Sequence, residues 1–264
     1  MEAGLAHPIF DPIRQWLERI GGSPSLSLLN SFSEEQNLRT ENGKPIRFVA
    51  PAPSDPYYEV HLFETGQVQT RPESKHDLFN ALAWLAFPKT KARINAIHAA
   101  EIPKEGGKRG RLRDMLTIFD EGGAIAVCGS DVAELVRQAR WRELFVEHYR
   151  SLRIVVVGHA MLEQALAPHP GITCKVIFAE PGSDLDAEAA GWLGTVGRTP
   201  RDMPPLPVFG YPGWFPGSEN PDFYSDERYF RPLQRGKMIP GVGQAAAVPQ
   251  GAEESPGSRE RDAG

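Results

Sequence analysis

A chain of 264 residues with 41% hydrophobic and 24% charged content is long enough to bury a sizeable core, as one large domain or two small ones. A net charge of -5 argues against a general electrostatic grip on nucleic acid, which needs phosphate-neutralising Lys and Arg, though it leaves room for a local basic patch. Cys128 and Cys174 sit inside apolar runs and read as buried thiols. The N-terminus has no secretory pattern and no apolar run nears the roughly 20 residues of a membrane span, so a cytoplasmic location with no membrane partner is expected.

In chain order, Pro8 to Ile20 places Ile13, Trp16, Leu17 and Ile20 on one helical face ended by Gly21-Gly22. Residues 23–45 are polar and weakly periodic, which predicts loop with a turn of helix near Ser33 to Leu38. Ile46 to Val49 predicts a short strand. In YYEVHLFETGQVQT (57–70), Tyr58, Val60 and Leu62 alternate with Glu59 and His61 before a Thr65-Gly66 connection, which predicts a β-hairpin, or a strand and turn leading back toward the core, with His61 outward.

The stretch Lys75 to Ala100, KHDLFNALAWLAFPKTKARINAIHAA, reads as two helices hinged at Phe87-Pro88. Proline cannot continue the ladder of the first helix and suits the first turn of the second. His76, Asn80 and Trp84 recur at i, i+4 and i+8 and form one stripe, with Asp77 beside them. That stripe either lines a pocket or belongs to a buried hairpin in which His76 and Asp77 only cap or pair with backbone.

From Lys89 to Arg113 there are eight Lys or Arg against two Glu, a local excess of +6 that ends in the glycine-rich PKEGGKRGRLR. It reads as a solvated loop or as an anion-binding edge. LTIFDEGGAIAVC (116–128) predicts a second β-hairpin about Asp120 to Gly123, and the paired acids at that turn are either a hard-cation site or ordinary turn residues. Asp131 with Glu134 suggests a capping box for a helix running to about residue 149. RIVVVGHAMLEQAL (153–166) predicts a strand, then Gly158, then a helix. His159 sits at the corner between them, where free N–H groups suit anions and catalytic groups. Ile172 to Phe178 predicts a strand, so 153–178 permits a βαβ unit, and Asp184 to Leu193 a helix capped by Ser183 or Asp184.

Between Pro200 and Pro232 there are eight prolines and eight aromatic residues, too aromatic to stay in water and too rich in proline for regular helix. This segment is expected to wrap the core as an irregular strap. Residues 239–264 have the composition of a disordered tail. The fold expected is therefore α+β, a single mixed domain over 1–238 with β-hairpins, a central helical hairpin and the strap.

HDLFNALAWLAFPKTKARINAIHA, RLRDMLTIFDEGGA, VVVGHAMLEQAL and PLPVFGYPGW with FYSDERYFRP follow one another as blocks. In that order they resemble an uncharacterised, mainly proteobacterial family catalogued as domain of unknown function 3025, over about residues 45–232. The resemblance implies one family domain and brings no activity, cofactor or catalytic residue with it. Signatures of phosphate loops, nucleophile elbows, zincins and paired Cys-x-x-Cys sites are absent.

Two functions remain. One is an enzyme acting on a phosphate-bearing or other anionic small substrate, with His76, Asp77, Asp114 and His159 as catalytic or metal-binding candidates. Asn80 would then bind ligand, and Arg111 and Arg113 would clamp the anion. The other is a non-catalytic binding module whose strap presents Tyr211, Trp214 and Tyr224 to a partner. Convergence of His76, Asp77, Asp114 and His159 in one pocket separates them. No pattern in the chain names a metal, a cofactor or an oligomeric state.

Overall fold

The N-terminal segment follows its apolar spacing. In this computed structural model, which describes residues 3–22, 24–51, 57–71, 73–106 and 108–233, Pro8–Ile13 forms a 3-10 turn and Arg14–Ile20 (α1) a helix. Ile13, Trp16 and Leu17 are buried, and Gly21 closes α1 at φ 62°. Leu26–Glu35 (α2) is a full helix where loop was expected. The Ser25 hydroxyl caps it by accepting the Leu28 N–H, and Leu29 and Phe32 face inward. The expected tail, 239–264, lies outside the described residues.

Arg47–Val49 (β1) pairs in parallel with Gln67–Gln69 (β2), and between them Tyr58–Thr65 (α3) is a helix. The hairpin expected at 57–70 is thus corrected. Tyr58 and Leu62 share a face at both period 2 and period 3.6, and Gly66 is a left-handed helix cap at φ 77° whose N–H donates to the Leu62 carbonyl. The helical hairpin is as expected: Lys75–Ala86 (α4) ends at Phe87, and Pro88–Glu101 (α5) begins on the proline.

Arg111–Gly122 (α6) runs into Gly123–Val127 (β3), so the hairpin expected at 116–128 is also corrected. Leu112, Met115, Leu116 and Phe119 follow the i, i+3, i+4, i+7 pattern of a buried helical face, which the short run LTIF alone does not reveal. Ser130–Arg137 (α7) is capped from Gly129 without a side chain, and Glu134 instead accepts from Arg137 and Gln138. The expected capping box is absent, and the helix toward residue 149 is broken into Trp141–Glu143 (α8) and a wide turn over Leu144–His148.

Arg153–Val156 (β4), His159–Gln164 (α9), Thr173–Ala179 (β5), Leu185–Leu193 (α10) and Pro205–Pro207 (β6) complete the described elements. The four-stranded sheet has the order β4-β3-β5-β6, with β3 and β5 parallel and the two outer pairs antiparallel. Because β4 runs antiparallel and β5 parallel to β3, β4 and β5 point in opposite directions, and the segment 153–178 is not a parallel βαβ unit. Ala124 and Ala126 of β3 face one apolar layer, with α4 and the strap; Ile125 and Val127 face the other, with α6 and α10. Covered on both faces, β3 is apolar at every position.

The strap is irregular except for β6. Phe209, Tyr224, Tyr229 and Phe230 are buried, and the Tyr229 hydroxyl ties it to β5 by donating to the Ile172 carbonyl at 2.8 Å. Among the described residues no helix is long and apolar enough to cross a membrane. The class is α+β, as the sequence indicates.

Candidate active site

Gly158 sets the geometry. A Cβ there would lie 2.6 Å from the Glu121 carbonyl oxygen and from the backbone nitrogens of Gly122 and Gly123. Only glycine lets the β4–α9 corner close onto the α6–β3 junction, and the Val157 and Gly158 N–H groups donate to the Gly123 carbonyl at 3.0 and 2.9 Å. His159, first residue of α9, is thereby set beside Asp120 and Glu121 at the end of α6. Helix α4 packs along α9 and brings His76, in its own first turn, to the same point.

The two imidazoles meet with Nε2 3.1 Å from Nε2 and ring centroids 4.6 Å apart, 83 residues apart in sequence. Each has a carboxylate behind it. His76 Nδ1 is 2.9 Å from Glu163 Oε2, and His159 Nδ1 faces Asp120 Oδ2 at 3.8 Å. Glu121 Oε2 lies 3.8 Å from His159 Nε2. His76, His159 and Glu121 each offer one ligand atom, all within 4.8 Å of one another, and could hold a metal ion. Burial pushes the His159 imidazole down to about 4, so it is neutral near pH 7, and burial with the neighbouring Asp120 charge raises the Glu121 carboxyl.

These groups open on a cavity of about 440 Å³. In its wall the Lys91 ammonium, 4% exposed as a residue, is ion-paired with Asp120 and donates to Asn80 Oδ1 at 2.8 Å. Burial opposes ionisation of Asp120 most strongly, but its charged and hydrogen-bonded neighbours, led by Lys91, together outweigh it and hold the carboxyl below its usual range. Glu59, from α3, accepts the Asn95 side-chain N–H at 2.7 Å, and Trp84, Leu62 and Ile94 supply apolar surface. Both cysteines are buried free thiols raised by burial, Cys128 to about 11 and Cys174 to about 12, and neither lines this cavity.

Of the residues singled out in the sequence, His76, Asp77, Asn80 and His159 line this one cavity. Asp77 is already saturated: Arg71 donates to it through Nε, Nη2 and its backbone N–H at 2.7, 2.9 and 2.8 Å, and these bonds depress its carboxyl. It anchors the segment before α4, whose cap is Ser74. Asp114, Arg111 and Arg113 are not brought there. They lie in the first turn of α6, whereas Asp120 and Glu121 lie in its last, about 10 Å along the axis.

Arg113 is committed to Glu105 at 2.7 Å and to His98 Nδ1 at 3.1 Å, and Arg111 is exposed. The basic run is dispersed likewise, since Lys89 pairs with Asp184 and Arg93 with Glu41. Of the strap residues, Tyr224 is buried, its hydroxyl directed at the Gly210 and Ser218 carbonyls, whereas Tyr211 and Trp214 are half-buried, pack against each other with centroids 5.3 Å apart and line a second cavity beside Phe87 and Leu185. Asp120 and Glu121 were visible only as paired acids at a turn. Glu163 had a usable signal, its i, i+4 spacing from His159 on α9, whereas Lys91 and Glu59 had none.

An α+β core with a sheet covered on both faces and a partly open histidine–carboxylate cavity is the class that fold and site define. The chain belongs to the family described as protein of unknown function (DUF3025), whose model matches residues 46–234. No curated protein and no solved structure matches it. The matched span contains every residue of the cavity.

Proposed function

We propose that this protein is a metal-dependent enzyme that hydrolyses a small polar substrate, with a divalent ion of the zinc class held by His76, His159 and Glu121. The observation that carries the reading is the meeting of the two Nε2 atoms. Glu163, 2.9 Å from His76 Nδ1, favours a proton there and leaves the His76 Nε2 lone pair aimed at His159 Nε2 beside a carboxylate. His159 Nδ1 is buried without a hydrogen-bond partner among the described residues and has Asp120 at 3.8 Å, so a cation that takes its Nε2 lone pair also moves its proton to the side of that carboxylate. Lone pairs opposed at 3.1 Å repel unless a cation or proton lies between them. Two nitrogens about 2.05 Å from a tetrahedral ion are about 3.3 Å apart, close to the spacing found.

Two imidazoles and one carboxylate, with no thiolate, leave the fourth position of such an ion free for water, which the ion makes acidic enough to attack near neutral pH. Lys91, locked to Asp120 and Asn80, stiffens the wall behind His159. This reading keeps an enzyme with a small substrate and sets aside Arg111, Arg113 and Asp114. The binding-module alternative loses Tyr224, which is buried, and keeps only the half-buried Tyr211 and Trp214, where no titratable cluster gathers among the described residues. Free buried thiols suit a reducing compartment, and the reading includes a cytoplasmic location.

The test is a zinc titration of the chelator-treated full chain by calorimetry. One ion per chain is expected, with binding lost in His76→Ala and in His159→Ala while both variants still melt cooperatively. Absence of stoichiometric binding, or binding indifferent to both variants, overturns the proposal.

A further inference from the structure

The cavity wall formed by α3 and α5 contributes nothing to the His76, His159 and Glu121 cluster, and it carries a carboxylate with no cation of its own. Glu59 is surrounded by protein yet stays partly open, and the opening is onto the cavity. Its described hydrogen-bond partner is the Asn95 amide, which gives Nδ2–H to Glu59 Oε2 at 2.7 Å and to the Glu59 carbonyl at 2.8 Å. Both bonds fix the amide orientation, so Asn95 is a donor to Glu59. Among the described residues no Lys, Arg or His lies within ion-pair distance of Glu59.

The bases on the cavity are already used. Arg71 is spent on Asp77 and Lys91 on Asp120 and Asn80. The lining holds four acids (Glu59, Asp77, Asp120, Glu121) and two bases (Arg71, Lys91), four minus two, a formal charge of -2 with neutral histidines. A divalent ion at the histidines consumes Glu121 and brings the total to zero, but it leaves Glu59 facing the cavity unpaired. An unpaired interior carboxylate is costly, and burial accordingly pushes the Glu59 carboxyl up. A ligand that brings its own positive charge or strong N–H donors removes that cost; an anion at this wall adds to it.

We infer that the substrate is a small molecule bearing an amino group, received by Glu59 at the α3–α5 wall while its reacting group faces the histidine end. The inference rests on the cavity being the active centre proposed above. A cavity of about 440 Å³ is the size of a small-molecule site, and Trp84, Leu62 and Ile94 give the ligand's carbon skeleton an apolar flank. Glu59 is a specificity-determining residue here, and the phosphate-bearing substrate expected from the basic run is disfavoured.

The experiment uses the zinc-loaded full chain and three four-carbon probes, n-butylamine, n-butanol and butyrate, with inorganic phosphate as a fourth, each titrated against the melting temperature at pH 7. The expected order of affinity is n-butylamine above n-butanol above butyrate, with the n-butylamine affinity falling tenfold or more in Glu59→Gln and the zinc affinity unchanged. If n-butylamine fails to bind saturably, or binds Glu59→Gln as well as the original chain, the inference is overturned. Should Glu59→Gln not fold, the order among the probes on the original chain decides, and butyrate or phosphate ahead of n-butylamine overturns it. Loss of zinc binding itself is seen separately, in the metal titration, and sinks the parent proposal instead.

Discussion

Gly158 lies so close to Glu121 that a Cβ on the glycine would stand 2.6 Å from the Glu121 carbonyl oxygen. This contact, and no side-chain bond, seats His159 beside the end of α6. Gly158→Ala is expected to push α9 away, costing about 1–3 kcal/mol as overpacking does. Zinc affinity should fall tenfold or more with it. Calorimetry on the variant, alongside a urea melt, checks both; an unchanged metal affinity would show that the corner is free to shift without disturbing the site.

Glu163 touches His76 and does not reach the proposed ion, so it acts as a positioning residue. Glu163→Gln is expected to lower zinc affinity about 10–100-fold, the usual effect of removing a carboxylate behind a ligating histidine, with little change in stability. Asp114→Asn and Arg111→Ala, at the other end of α6, should leave zinc affinity where it was. A loss in either control would mean that the site extends along the helix.

Trp84 closes the inner end of the His76–Asn80 stripe and is 2% exposed. Replacement by alanine should cost on the order of 3–5 kcal/mol, read from equilibrium urea unfolding. A cost under about 1 kcal/mol would contradict its place in the core.

His98, 3% exposed on α5, is pushed down to about 4 by burial and by the Arg113 guanidinium, with Arg109 and Lys91 acting the same way and Asp120 against. The fold holds this imidazole neutral while the unfolded chain protonates it below about 6.5. Its contribution is therefore fully present above that pH and is lost as pH falls toward and through 4, on the order of 3 kcal/mol in all. Because carboxylates titrate in the same window, the useful quantity is the difference between the original chain and His98→Gln across pH 4–7. That difference should shrink on acidification; a flat difference would mean that folded and unfolded His98 take up the proton alike.

Removal of the strap tests its place in the fold. β6 pairs with β5, and Leu206, Val208 and Phe209 fill the core. The fragment 1–199 should aggregate, because it bares an apolar sheet edge and face. A soluble fragment with a cooperative melt would show that the strap is dispensable.

What the sequence determined by itself was local. Pro88 divides α4 from α5 because proline cannot donate within a helix, and the 3.6-residue period puts His76, Asn80 and Trp84 on one stripe whatever the rest of the chain does. The turn from β4 through Gly158 into α9 was legible for the same reason. Tertiary structure decided the remainder. YYEVHL and LTIF are too short to distinguish strand from helix, and packing on both faces of the sheet settled them. Asp114 and Glu121 are both acids on α6, yet the first turn, tied to Glu105 through Arg113, lies outside the cavity while the last faces His159. The site exists because backbones meet at Gly158 and Gly123, and a contact between segments distant in sequence leaves no periodic trace in either.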